Sequence, residues 1–145
     1  MIPYRPYAVL ILGTLGTLGL LGTPAAAADL TVVLEKVAPN GGNVRAALYN
    51  QADTFLKKPW RGQEAPAPAD SVTLVFKDLP AGEYAVSAFQ DSNGNQKLDT
   101  ASSGLPLEPY GMSNGARGGP EGPPSFAAAA FHLGEAAQTI TVRLK

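Results

Sequence analysis

The chain has 145 residues, no cysteine, and 11 basic against 12 acidic side chains. That length suits one domain rather than two. The missing cysteine excludes a disulfide framework, a thiol nucleophile and a lipid-bearing cysteine behind an export signal. Near-balanced charge without a basic patch excludes a nucleic-acid footprint and a face for anionic lipid.

The first segment is not fold material. Arg5 precedes an apolar run from Ala8 to Leu21, and Gly22-Thr23-Pro24 leads into Ala25-Ala26-Ala27-Ala28. A positive start, an apolar stretch and small residues at a cut site predict a signal peptide over 1–28. The cut falls after Ala28 and leaves Asp29 as the mature N-terminus. The run is too short and too glycine-rich to serve as a retained span. The mature domain, 29–145, is therefore expected outside the cytoplasm, with neither a lipid anchor nor a membrane span.

From Asp29 onward the apolar pattern has period two. Leu30, Val32 and Leu34 alternate with Thr31, Val33 and Glu35. The same alternation runs through Val44–Tyr49, Val72–Lys77 and Thr139–Lys145. One apolar and one wet face mark antiparallel strands packed on one side. Glu83–Phe89 carries apolar groups on both faces and reads as a central strand. Phe126–Leu133 reads as a further short strand, although Ala127–Ala130 alone could form a helical turn.

Turn residues separate these runs. Pro39-Asn40-Gly41-Gly42 predicts a hairpin connection between the first two strands. Leu79-Pro80-Ala81-Gly82 reverses the chain before Glu83. Gln63–Asp70, rich in Pro and Ala, reads as an exposed loop. Six or seven short strands with Gly/Pro turns predict an all-β, antiparallel two-sheet sandwich. Tyr84, two residues after Gly82, matches the tyrosine corner of immunoglobulin-like sandwiches, whose hydroxyl ties down the preceding turn. Trp60 and Phe55 either cap the core or form a contact patch. One long aperiodic loop, 91–125, interrupts the pattern, and loops of that length are usually functional or disordered.

The strongest chemical signal opens that loop. Asp91-Ser92-Asn93-Gly94-Asn95-Gln96-Lys97-Leu98-Asp99 places side-chain oxygens at loop positions one, three, five and nine. A tight loop with that spacing turns alternate carboxylates and amides onto one point, as calcium requires. The predicted ligands are Asp91, Asn93, Asn95, the Lys97 backbone carbonyl and Asp99, with Glu108 closing the shell from downstream. Gln96 stands where glycine is usual, and Ser102 stands where a bidentate Glu is usual. Few carboxylates then face a dication, so the expected affinity is weak, on the order of 10⁻⁴–10⁻³ M. The competing reading is an Asx-rich turn in which these side chains bond their own backbone.

Further along, Tyr110, Asn114 and Arg117 combine an aromatic ring, an amide and a cation, a mixture suited to a sugar or a carboxylate ligand. The favoured reading is a loop that packs on itself, with Tyr110 and Met112 tucked onto the sandwich edge. His132 is the only histidine and has no Ser or Cys pattern with it, so no triad is present. Asp91, Asp99 and Glu108 are the candidates for a glycosidase carboxylate pair, but a carboxylate bound to calcium is a poor proton donor.

Several stretches together resemble a bacterial family, domain of unknown function 2141. They are Gly42–Tyr49, Leu79–Val86, the Asp91 loop, Gly104-Leu105-Pro106, Glu108–Asn114 and Gly122–Phe126. The resemblance implies a periplasmic β-sandwich similar to transthyretin-like or carboxypeptidase-regulatory domains, with no established biochemical role. The expected function is thus a non-catalytic envelope domain whose weakly bound calcium orders a segment that contacts an envelope protein or a glycan. A metal-free interaction module and a carrier of small apolar ligands are the alternatives.

Overall fold

The computed structural model describes Gly22 and residues 26–145. Apart from Gly22 and 26–28, the expected signal peptide lies outside the described residues. Eight strands form among the described residues: β1 (Ala27–Glu35), β2 (Asn43–Tyr49), β3 (Arg61–Ala65), β4 (Ser71–Pro80), β5 (Gly82–Asp91), β6 (Tyr110–Met112), β7 (Phe131–Leu133) and β8 (Gln138–Arg143). They make a sandwich of two sheets. The three-stranded sheet runs β4-β1-β8. The five-stranded sheet runs β3-β2-β5-β6, with β7 added on the start of β5.

The period-two positions behave as the alternation requires. Leu30, Val32 and Leu34 of β1, Phe76 of β4 and Val142 of β8 are buried from one sheet, and Val44, Leu48 and Val86 from the other. Together they form one core cluster between the sheets. Such side chains each contribute roughly 1.5–3 kcal/mol through burial.

Both expected reversals cross between sheets. The Pro39–Gly42 turn is no hairpin, because β1 and β2 lie in different sheets. The buried Gln90 amide holds this crossing, accepting from Ala38 N at 2.9 Å and donating to Ala38 O at 2.7 Å. Gly42 sits at φ 101°, and a Cβ there would lie 2.1 Å from Asp91 O, so only glycine lets the two segments approach. The second crossing, β4 to β5, is tied as the tyrosine corner predicts: Tyr84 Oη donates to Pro80 O at 2.6 Å. Trp60, 39 % exposed, stacks on Tyr84 with centroids 5.9 Å apart, and the Arg61 guanidinium lies over it.

Four further expectations change. The pairing of β1 with β8 is parallel, Leu30 opposite Gln138 through Glu35 opposite Arg143. Alternation reports which face a residue takes, not the strand's direction, and the long path before β8 supplies the crossover a parallel pair needs. Part of the expected loop at 63–70 is the edge strand β3, which has no apolar alternation because its residues are mostly exposed. Phe126–Ala129 forms a short helix, α1, and only Phe131–Leu133 is strand. The Ser125 hydroxyl caps α1 by accepting from Ala128 N at 3.2 Å. Finally, the aperiodic segment contributes β6, three residues too short to show a period. Gly111 of β6 passes so close to β8 that a Cβ would sit 2.5 Å from Arg143 O.

Candidate functional site

Two neighbouring features could carry function, and both lie on or beside the outer face of the five-stranded sheet. The first is the Asp91 loop. Asp91 is only 2 % exposed at the end of β5. Its Oδ1 accepts from Asn95 N at 3.2 Å, and its Oδ2 from Gln96 N at 2.8 Å. Asn93 Oδ1 accepts from Asn95 N and Asn95 Oδ1 from Lys97 N, at 3.2 and 3.0 Å. Both amide nitrogens point to Asp99: Asn95 Nδ2 donates to Oδ1 at 2.8 Å, and Asn93 Nδ2 donates to Oδ2. Glu108, 7 % exposed, accepts from Ser92 N at 2.8 Å and Asp99 N at 3.0 Å. Its carboxylate thus joins both ends of the loop, with backbone donors as its partners.

The backbone of this loop fits a cation loop better than its donor set does. Gln96 stands at φ 66°, the left-handed turn usually given to glycine. Yet among the described residues no three His, Cys, Asp or Glu side chains gather to hold a metal ion. The amide nitrogens of Asn93 and Asn95, not their oxygens, face Asp99. Both amides would have to turn before their oxygens could join a cation shell there.

The second feature is a cleft of about 1080 Å³ between the outer face of the sheet and segment 96–124. The register explains it. One row across four strands is Glu64, Arg45, Phe89, Tyr110, and the next is Gly62, Ala47, Ser87, Met112. The first row is large. The second has almost no side chain at three of its four positions, so the sheet surface dips there. Beyond it, Tyr49 and Ala85 are covered by Phe55, Leu56 and Phe126. Tyr49–Phe55 and Phe55–Phe126 meet edge to face, with centroids 5.2 and 5.8 Å apart. Phe55 therefore packs as part of this small outer core.

Two turns border the opening. A finger closes where Ala101 N donates to Leu105 O and Leu107 N to Asp99 O, both at 2.8 Å, and it leaves Leu105 68 % exposed. The other turn pairs Gly119 with Gly122. Segment 113–116 is fastened under the cleft by the buried Ser113 hydroxyl, which donates to Ala129 O at 2.6 Å and accepts from Val86 N at 2.9 Å.

Charge in the cleft comes from one pair. Arg45 Nη2 donates to Glu64 Oε2 at 2.7 Å. Arg45 Nε is buried without a hydrogen-bond partner, 3.5 Å from Asp91 Oδ2. Burial raises the Tyr49 phenol above its ordinary pKa, opposed by a hydrogen bond from Ser87. Tyr49 is therefore neutral at physiological pH and offers no general base.

Of the sequence-predicted partner residues, Tyr110 lines the cleft. Asn114 does not line it; its amide donates to Ala130 O at 2.6 Å and fastens the end of α1. Arg117 is exposed and also lies outside the lining. His132 is exposed and faces Glu83 across a 3.0 Å contact. Arg45, Ala47, Ser87 and Phe89 were not legible as site residues. Their signal is the small pair Ala47 and Ser87 on the wet parity of two strands, and it becomes readable only once those strands are aligned.

Comparison with known proteins places the sandwich among its relatives. The profile described as "Uncharacterized protein conserved in bacteria (DUF2141)" matches residues 32–141, nearly the whole of the described domain. The chain belongs to the DUF2141 family. The matched span contains both crossings, the Asp91 loop and every residue of the two rows. No curated protein and no solved structure matches the chain.

Proposed function

We propose that this DUF2141 domain is an exported, non-catalytic binding domain of the bacterial cell envelope. Its ligand lies in the cleft between the five-stranded sheet and segment 96–124. Export rests on the apolar N-terminal run with its alanine-rich end. The observation that carries binding is the row Gly62–Ala47–Ser87, three small residues side by side on the strand face that lines the cleft. A sheet built only for stability would place larger side chains there. The Asp91–Glu108 network holds the base of the segment that borders the cleft.

Ala47→Leu tests the reading, because it fills the dip without touching the inner core. In native mass spectrometry, the protein purified from the envelope should carry a bound species that Ala47→Leu loses. The same adduct on both proteins, or none on either, would overturn the proposal.

Calcium at the Asp91 loop is the second reading, favoured by the left-handed Gln96 and by the Asx bonds that wind the loop. Its role would be to stiffen the cleft border. If calcium binds the folded form alone, the thermal midpoint rises with millimolar calcium and falls back with chelator. A midpoint indifferent to both leaves the loop as a self-satisfied Asx turn.

A further inference from the structure

We infer that the occupant of the cleft is an uncharged saccharide segment, an inference that rests on the binding role proposed above. Charge is the first argument. Arg45 and Glu64 are the only charged side chains among the lining residues, and they neutralise each other at 2.7 Å. Arg45 also faces Asp91 at 3.5 Å, so an anionic ligand would enter without a free cation, which disfavours fatty-acid carboxylates, anionic phospholipid headgroups and acidic peptides.

The second argument is the chemistry of the lining. Phe89 and Tyr110 stand side by side across β5 and β6, both half-buried, and neither ring is paired with another aromatic ring among the described residues. Such open rings suit the C–H face of a sugar ring. Around them, the side chains of Gln63, Gln96, Thr100 and Ser103 line the cleft without a hydrogen-bond partner among the described residues. Neutral donors and acceptors beside aromatic surface match hydroxyl and acetamido groups. A hydrocarbon chain would leave those groups unanswered as it displaced water.

The third argument is shape. About 1080 Å³ slightly exceeds the usual range for one drug-sized ligand, and the cleft is only partly enclosed. An extended chain fits better than a compact molecule. A peptide is disfavoured because the backbone groups of the floor are already used within the sheet, so strand addition has nothing to pair with there.

The test is titration calorimetry on the purified protein with four defined probes: neutral tetrasaccharides of glucose and of N-acetylglucosamine, dodecanoate, and an uncharged octapeptide of Gly, Ser and Pro. At least one tetrasaccharide should bind. Its affinity should be nearly independent of salt and should fall about tenfold or more in Phe89→Ala, the loss expected for one open aromatic contact. Ala47→Leu should abolish the binding, and an unchanged thermal midpoint in each variant shows that the fold is intact. Binding of dodecanoate or the peptide alone, blocked by Ala47→Leu, would overturn the saccharide inference and leave the cleft reading standing. Saccharide binding unchanged in both variants would place it elsewhere and overturn the inference. So would failure of both saccharides to bind at millimolar concentration, and the cleft reading would then rest on its own mass-spectrometric test.

Discussion

The two faces of the five-stranded sheet are built from the same strands and do opposite things. The inner face presents Val44, Leu48 and Val86, all fully buried against the other sheet. The outer face presents Arg45, Ala47, Ser87 and Phe89 at the intervening positions, all half-buried. Its Tyr49–Ala85 end is buried under Phe55 and Phe126, and Ala47 and Met112 pack against the edge of that cluster. Inner positions therefore carry large apolar side chains, whereas the central outer positions hold the small Ala47 and Ser87 beside Arg45 and Phe89. In one sheet, residues buried in the core and residues that line the cleft alternate along each strand.

That contrast can be broken by mutation. Leu48→Ala, on the inner face, should cost about 2–5 kcal/mol, read as a lower midpoint in denaturant unfolding. A loss as small as that of an outer-face change would contradict the division. Glu108→Ala comes next. It leaves Ser92 N–H and Asp99 N–H without their acceptor and should cost about 1–3 kcal/mol. The opening should be local, seen as faster hydrogen exchange across residues 92–108 with β1 and β4 unaffected.

Tyr84→Phe should cost about 1 kcal/mol by removing the bond to Pro80 O. It also sharpens the pH behaviour. Burial raises the Tyr84 phenol, opposed by the charge of Arg61. A group raised in the folded state stabilises fully below its unfolded pKa, near 10, and that contribution is lost as pH rises through the folded value. Unfolding free energy should therefore fall above about pH 10, and Tyr84→Phe should flatten part of the fall. Tyr49, raised by its own burial, supplies a further part. The smallest change is Ala47→Leu, expected to move stability by no more than about 0.5 kcal/mol while filling the dip in the cleft floor. Equal damage from Ala47→Leu and Leu48→Ala would mean that the outer face is a second core.

Legibility in the sequence followed burial. The alternating strands β1, β2, β4 and β8 were readable because one face of each is buried and the other wet. Strand β3 was not, because an exposed edge strand leaves no apolar trace, and β6 was too short to show one. The Asp91 loop was readable as a spacing of oxygen-bearing side chains. Whether those oxygens turn toward a cation or toward backbone amides depends on rotamers and on Glu108, which arrives from sixteen residues away. Residue type alone points to Tyr110, which lines the cleft, whereas Asn114 fastens the end of α1.

The sequence by itself determined which side chains face inward, where the chain turns, and that Tyr84 ties its corner, because each is a local consequence of parity, φ preference or reach. The tertiary structure alone decided that both turns cross between sheets and that β8 lies parallel to β1. It alone brought Gly62, Ala47 and Ser87 into one row. Those outcomes depend on strand register, and register is a relation between distant segments that no single segment carries.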